Sequence, residues 1–241
     1  MTLEEFSNSF DTLLNSFART AQFGDAANKA DVSLDEYEKS VFLTRYQEEL
    51  ALSLYNGKNP LGEGFEQTEE IRRYLSNLIK EAELTPIATS DGKPLGIESN
   101  SKFFTLPADL WFITYEGVII SNSKCENTTS MDVYPVRQDE YHKIKKNPFR
   151  GANDRRALRL DLSEGNVEII SKYTVTKYYL RYLRKLKPIV LQNFTNEGVS
   201  VDGVSTATDC ELPSFLHQRI LEGAVMLALR SKGININTEN K

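Results

Sequence analysis

The 241-residue chain is short of most residue types on which site chemistry usually rests. It has two cysteines, Cys125 and Cys210, and two histidines, His142 and His217, all far apart in sequence. A structural zinc site takes about four clustered ligands, so no metal site is expected. The cysteines read as two free thiols of a reducing compartment rather than a disulfide. A serine or cysteine nucleophile would need a base beside it, and neither histidine stands in a recognisable catalytic context. His142 lies among lysines and reads as solvent-facing; His217 reads as a packing or surface residue of a C-terminal helix. Gly62-Glu63-Gly64 lacks the third glycine and the preceding strand of a phosphate-cradling loop. Acidic pairs such as Asp35 with Glu36, or Asp209 with Glu211, read as helix-start residues, because 34 acids make such pairs inevitable. No apolar run approaches the ~18 residues that span a bilayer. The start, Met1 to Phe6, carries early acids instead of the basic-then-apolar order of a signal peptide. The expectation is a protein made in a cytoplasm, with no catalytic residues, no cofactor and no membrane.

What is present is an ordinary globular composition, 40% hydrophobic and 26% charged, in a chain long enough to bury a sizeable core. Residues 1–84 read as helices. Leu3, Phe6, Phe10, Leu13, Leu14 and Phe17 share one helical face before Gly24 breaks the pattern. A second helix is predicted from Ser33, with Glu36 completing a capping box, to Asn56-Gly57, carrying Tyr37, Val41, Phe42, Tyr46, Leu50 and Leu54 inward. A third starts near Thr68 and buries Ile71, Tyr74, Leu75, Leu78 and Ile79. From residue 85 the texture becomes strand-rich. Leu110 to Ser121 reads as two strands with a turn at Glu116-Gly117, and 121–130 as an exposed loop. A short strand over 132–136, a helix over 138–145 and a loop over 147–154 follow. The strand 156–162, a hairpin turn at 163–166 and a returning strand 167–171 come next. The clearest strand is 174–183, with Tyr178, Leu180 and Tyr182 on one face and Lys177, Tyr179 and Arg181 on the other. Residues 188–191 extend it or start an edge strand. Pro213 opens a last helix that buries Leu216, Ile220, Ala224 and Leu227, with Leu212 and Phe215 adding to the start of that side, and stops at Gly233, leaving a polar tail. The fold class is therefore α+β: N-terminal helices, a central, mostly antiparallel sheet, and a C-terminal helix packed on the core. By composition it divides into 1–84, 85–232 and a flexible 233–241.

Charge is distributed unevenly. Residues 137–187 carry 14 Lys/Arg and 6 Asp/Glu, a net of +8, in a chain whose total is −5. Residues 1–84 carry 8 Lys/Arg and 16 Asp/Glu, a net of −8. Such polarity suits head-to-tail packing of copies, and equally an intramolecular match. Tyrosines interleaved with arginines are favoured at protein–protein interfaces. They could also stack on single-stranded nucleic acid, although a pI near 5.3 is far from the basic range of dedicated nucleic-acid domains.

Four stretches carry a resemblance: Asp139–Arg150 (DEYHKIKKNPFR); Arg156–Asp161 with Val167–Ile170; Tyr178–Leu191 (YYLRYLRKLKPIVL); and Cys210–Ile220 (CELPSFLHQRI). Together, over about residues 132–232, the chain resembles virion structural proteins of crAss-like tailed bacteriophages, the ring-forming neck and tail proteins similar to head–tail adaptors. The resemblance implies a non-enzymatic virion component. It would form a homo-oligomeric ring of twelve copies, stacked between portal and tail, with genomic DNA passing through its lumen without specific binding. Its partners would be itself and the portal or neighbouring ring proteins. In that reading Tyr179, Arg181, Arg184 and Lys185 are the candidate intersubunit residues. Alternatives from other classes are a phage nucleic-acid-binding accessory protein using the 137–187 surface, and a small hydrolase relying on His142 or His217.

Overall fold

The amphipathic run at the start forms α1, Leu3–Ala21. Phe6, Phe10 and Leu14, four residues apart, are fully buried along one face. The structure, a computed structural model, describes residues 1–21, 33–59, 62–87, 96–98, 101–121 and 129–234. The Gly24 break, most of the 121–130 loop, Cys125 and all but the first two residues of the 233–241 tail lie outside the described residues. Contacts divide the chain into two units, Met1–Asn77 with Leu186–Lys241, and Leu78–Lys185. These boundaries follow contacts, whereas 84/85 and 232/233 follow composition.

In the first unit α2 spans Glu36–Asn56. Its capping box is not Ser33 with Glu36 but Asp35 with Glu38. Asp35 Oδ1 accepts from the Glu38 amide at 2.7 Å, and Glu38 Oε2 from the Asp35 amide at 3.3 Å. A carboxylate at this end also meets the positive pole of the helix. Gly57, at φ 73°, takes the left-handed turn that ends α2.

The buried face of α2 is not the predicted aromatic one. Leu50 and Leu54 are inside as expected, but Val41 is exposed, Tyr37, Phe42 and Tyr46 are half-buried, and Lys39, Ser40, Thr44 and Gln47 are buried. These polar residues hold an extended segment that runs along the helix. Gln47 Nε2 donates to the Lys187 carbonyl at 2.9 Å. Thr44 Oγ1 accepts from the Ile189 amide at 3.0 Å and donates to the Ile189 carbonyl at 3.2 Å. Ser40 Oγ accepts from the Leu191 amide at 3.0 Å. Residues 40, 44 and 47 share a helical face, and 187, 189 and 191 share one side of an extended chain. The helix thus satisfies backbone groups that a neighbouring strand would otherwise pair. On the other side, Val190 exchanges backbone bonds with Thr208, the only ladder-like contact in the predicted 188–191 strand. Lys39, its side chain 3% exposed, reaches Asp11 at 2.7 Å and Glu36 at 2.9 Å and so ties α1 to α2.

Thr68 caps α3, Glu69–Tyr74. The predicted stripe continues through a tight turn at Ser76–Leu78, but Ile79 is exposed and begins a strand instead of extending a helix. After Pro213, α5 spans Ser214–Ser231 and stops before Gly233, at φ 78°. Leu216, Ile220 and Ala224 are buried as expected; Leu227 is half-buried, and Leu221, Val225, Ala228 and Leu229 complete the inner face. It packs on α1 and α2. At Gly223 a Cβ would come within 1.9 Å of the Tyr46 ring, so the α2 aromatic lies against bare α5 backbone.

Among its described residues the second unit is a seven-stranded sheet with one α-helix: β1 Ile79–Leu84, β2 Lys102–Thr105, β3 Leu110–Ser121, β4 Thr129–Pro135, α4 Gln138–Lys145, β5 Arg156–Asp161, β6 Asn166–Ile170 and β7 Thr174–Arg184. The strand order is β1-β7-β3-β4-β5-β6-β2. Every pairing is antiparallel except β4 with β5, whose crossover contains α4. The 163–166 turn joins β5 to β6 as predicted, with Glu164 at φ 58° and Gly165 at φ 70°. The predicted break at Glu116-Gly117 is absent. β3 runs through it as one strand paired with β7, and its alternation is reset by irregularities between Leu110 and Phe112, Ile113 and Tyr115, and Ile119 and Ile120. Phe104, Val118, Ile120, Met131, Val133, Ala157, Val167, Ile169, Val175, Tyr178, Leu180 and Tyr182 form one interior, joined by Ala82 and Leu84 of β1. The Ile87 amide, just past β1, donates to Phe103 of β2 at 2.8 Å, so the two ends of the strand order are linked around that interior. On the opposite face, Tyr141 of α4 covers Leu158, Leu160 and Ile170.

Candidate assembly surface

The period-two pattern of β7 places Tyr178, Leu180 and Tyr182 inside and leaves Lys177, Tyr179 and Arg181 on the outer face. β1 lies alongside with its acids in register: Glu81 opposite Arg181 and Glu83 opposite Tyr179. Arg181 Nε meets Glu81 at 2.7 Å, the Tyr179 hydroxyl donates to Glu83 at 2.7 Å, and Lys177 shares the same Glu83 carboxylate. Lys177 and then Tyr179 hold the Glu83 carboxyl below its ordinary range. These groups remain largely in water, Arg181 at 60% and Glu81 at 68% exposure, so the pairs stabilise the subunit little. Their effect is to hold long side chains in fixed places on an open face. Tyr115 and Ile119 of β3 and Ser130 of β4 complete a shallow depression of about 490 Å³.

Beneath this face lies a buried polar group that sequence reasoning missed. Arg159 of β5 donates to Glu116 of β3 at 2.7 Å, and the Tyr178 hydroxyl donates to the other oxygen of Glu116 at 2.5 Å. The Arg159 and Glu116 side chains are 10% and 9% exposed. Arg159 Nε lies 2.9 Å from Asp161 but is not aligned with it as a hydrogen bond. Burial pushes the Glu116 carboxyl up, and Arg159 and Tyr178 offset only part of that. Burial next to Glu116 pushes the Tyr178 phenol up as well. The available signal was Glu116 itself, an acid in the middle of a strongly apolar run, which read more simply as a turn.

Of the four predicted interface residues, the sheet brings Tyr179 and Arg181 onto one face. Arg184 ends β7, half-buried, and donates to the neighbouring carbonyl of Lys185 at 3.2 Å. Lys185 is exposed beyond the strand, its amide bound to Asp109 at 2.7 Å. The basic segment is much less free than its net charge suggests. Among its 14 cations, Arg137, Lys145, Arg159, Lys172, Lys177, Arg181 and Lys187 already face carboxylates of the same chain. Cations so engaged add little to counterion-release binding of nucleic acid. His217 is buried, with Nδ1 2.9 Å from the Met1 amine and Nε2 2.9 Å from the Leu212 carbonyl, a packing role. His142 is exposed on α4. The Cys210 thiol donates to Gln47, and burial pushes its pKa up to about 11. Among the described residues no group of three or more His, Cys, Asp or Glu could hold a metal ion, and no helix is long and apolar enough to cross a membrane.

The ordered, exposed face of β1, β7 and β3 is therefore a candidate contact surface. A family model described as phage tail ring protein 3/4 matches residues 1–240. The chain belongs to this family. Ring protein 3 of Bacteroides phage crAss001 is 47% identical over 235 residues, covering 96% of each chain. Ring protein 4/5 of the same phage is 31% identical over 236 residues, covering 95% of this chain and 92% of the relative. The resemblance seen over residues 132–232 therefore extends through the N-terminal helices as well. Family membership gives the protein a structural ring role in a crAss-like phage, and with it a place among the components of the virion.

Proposed function

We propose that the protein is a non-catalytic ring component of the neck or tail, built of twelve copies, that connects the portal side to the tail side and surrounds the DNA channel. The observation that carries this reading is the match to a tail ring family along essentially the whole chain. The outer face of β1, β7 and β3 supports it. Glu81, Glu83, Lys177, Tyr179 and Arg181 form an ordered cross-strand array that stabilises the subunit little, and Tyr115 stands beside it 53% exposed. This array, with Arg184 and Lys185 at its end, is the intersubunit contact. A net charge of −5 lets duplex DNA pass the lumen, because retention would need clustered cations facing its phosphates.

The test is peptide mass spectrometry on gradient-purified virions, with this chain quantified against the portal protein. A ratio near one to one is expected. Absence from particles despite abundance in infected-cell lysate overturns the reading. The nucleic-acid alternative would then come forward, as a DNA gel shift strong at low salt and lost when Arg181 and Arg184 become alanine.

A further inference from the structure

Phe149 is the most exposed large hydrophobic side chain among the described residues, at 84%. It does not sit on a loose loop. Asn147 Oδ1 accepts the amides of Phe149 at 2.9 Å and Arg150 at 3.2 Å, and the Asn147 carbonyl accepts Gly151 at 2.8 Å. Arg156 donates to the Phe149 carbonyl at 2.8 Å while its guanidinium lies 4.3 Å from the centre of the Tyr134 ring. A Cβ at Gly151 would stand 2.9 Å from the Asn147 carbonyl, so the turn closes this tightly only with glycine. The structure therefore presents an apolar ring on a rigid turn, with the ordering cost of presentation already met in the free subunit. The surroundings are basic: residues 143–156 hold six Lys/Arg against Asp154 alone. Lys143, Lys146, Arg150 and Arg155 make no ion pair among the described residues.

The other unit carries a matching feature. Phe215, at the start of α5, is 59% exposed, and its ring lies 4.8 Å from that of Tyr74 at the end of α3. With Glu69, Glu70 and Arg73 these two rings line a depression of about 510 Å³. The chain leading into it is acidic on balance: residues 62–74 hold Glu63, Glu66, Glu69 and Glu70 against Arg72 and Arg73, and Arg73 pairs with Glu69 at 2.8 Å.

We infer that Phe149 of one copy seats against Tyr74 and Phe215 of the next copy of this chain. The inference rests on the ring reading above and adds a second contact to the outer sheet face. A basic turn around an apolar knob fits an aromatic socket approached by a chain that is acidic on balance, and aromatic rings gain by edge or offset packing in such a cluster. Knob and socket are different surfaces of the same chain, so the contact is heterologous, the type that propagates from copy to copy and closes by rotation into a ring. An aromatic anchor in a desolvated pocket commonly dominates an interface.

The test uses the full chain with Phe149→Cys and Phe215→Cys made singly, oxidised separately and as a mixture. Mixing is expected to give a covalent dimer absent from either single variant, with peptides around residues 149 and 215 joined in mass spectra. The double variant is expected to give a ladder of covalent oligomers. Phe149→Ala, with an unchanged circular dichroism spectrum, is expected to weaken assembly by about 30-fold. If rings form in these samples without a 149–215 link, or if in virions residue 149 links only to a different protein, this contact is wrong while the ring reading stands. If neither wild-type rings nor the link appear, at subunit concentrations up to those of assembly, both fall.

Discussion

The two units solve opposite problems with polar residues. The first, residues 1–77 and 186–241, carries 12 Lys/Arg and 20 Asp/Glu, yet its specificity lies in uncharged groups turned inward: Ser40, Thr44 and Gln47 on a buried helix face, gripping the backbone at 187, 189 and 191. The second, residues 78–185, is more evenly balanced at 17 Lys/Arg and 14 Asp/Glu, and its outer sheet face sets Lys177 against Glu83 and Arg181 against Glu81 in cross-strand pairs. Among its described residues the deeply buried ion pair is Arg159 with Glu116. A helix face that replaces a strand must present hydroxyls and amides at fixed spacing. A sheet satisfies its own backbone, and its outer side chains are left for other partners.

The largest effect should come from breaking the inward charge of the sheet unit. Arg159→Ala leaves Glu116 buried with only the Tyr178 hydroxyl, and a loss of about 3–5 kcal/mol is expected. Trp111, the only tryptophan, sits on β3 and reports this unit in urea unfolding by fluorescence. The double change Glu116→Gln with Arg159→Met should recover much of the loss; a single variant within about 1 kcal/mol of wild type would mean that the pair does not organise the interior.

Thr44→Val asks the same of the helical unit. It orphans both the amide and the carbonyl of Ile189 in a buried setting, for an expected loss of about 2–3 kcal/mol. Hydrogen exchange should rise at 189–191 and along α2 while β5 to β7 remain protected. Equal loosening of both units would erase the contrast between them.

These two sites also show where the sequence stops being legible. α4 was read at its observed bounds, Gln138–Lys145, as were the 163–166 turn and the two faces of β7, because each is set by local periodicity or turn residues. The inner face of α2 was misread because polar residues at helical spacing look like a solvated stripe. Only the distant strap at 187–191 gives Ser40, Thr44 and Gln47 a reason to be inside. β1 was lost in a helix because Ile71, Leu75, Leu78 and Ile79 keep helical spacing. Its identity lies in Glu81 and Glu83 matching Arg181 and Tyr179 a hundred residues away. Of the assembly face, Tyr179 and Arg181 were legible from β7 alone, whereas their partners came from β1 and the aromatic neighbour Tyr115 from a strand that had been cut in two.

Acid should separate the units more gently. His217 accepts from the Met1 amine, and burial holds its pKa below the ordinary value. The folded form is therefore neutral, its contribution complete above about pH 6.5 and lost as pH falls below that. In the sheet unit, Lys177, Lys145, Lys80 and Lys172 hold Glu83, Glu98, Asp109 and Asp154 below their ordinary values. Those contributions are complete above about pH 4 and decline only as pH drops further through the folded values. Glu116, raised, works the other way, since the folded state takes up its proton more readily. Hydrogen exchange in steps from pH 7 to pH 4 should thus show α1 and α5 opening before β3 and β7, and the reverse order would refute the assignment.

The smallest effect on stability is expected from Arg181→Ala, within about 0.5 kcal/mol, because the pair with Glu81 is in water. Its consequence should appear in ring assembly by native mass spectrometry. A variant that assembles like wild type would remove the outer sheet face from the interface.

The sheet unit is written in one piece and the helical unit in two, with the sheet unit inserted between residues 77 and 186. As a nascent chain lengthens, α1 and α2 emerge first but cannot finish their core. The His217 ring that packs on Phe6 at 5.2 Å comes from a helix made after the sheet unit, and the bond from the Met1 amine to His217 closes a separation of 216 positions. Closing so long a loop costs only logarithmically more than a short one, so the insertion is thermodynamically tolerable, but it imposes an order in time. The sheet unit can be complete while the helical unit is still waiting. The Tyr74–Phe215 pair cannot form until the chain has grown past residue 215. On the proposed copy-to-copy contact, a chain not yet grown past residue 215 carries the Phe149 knob but no socket, so association waits for the later segment.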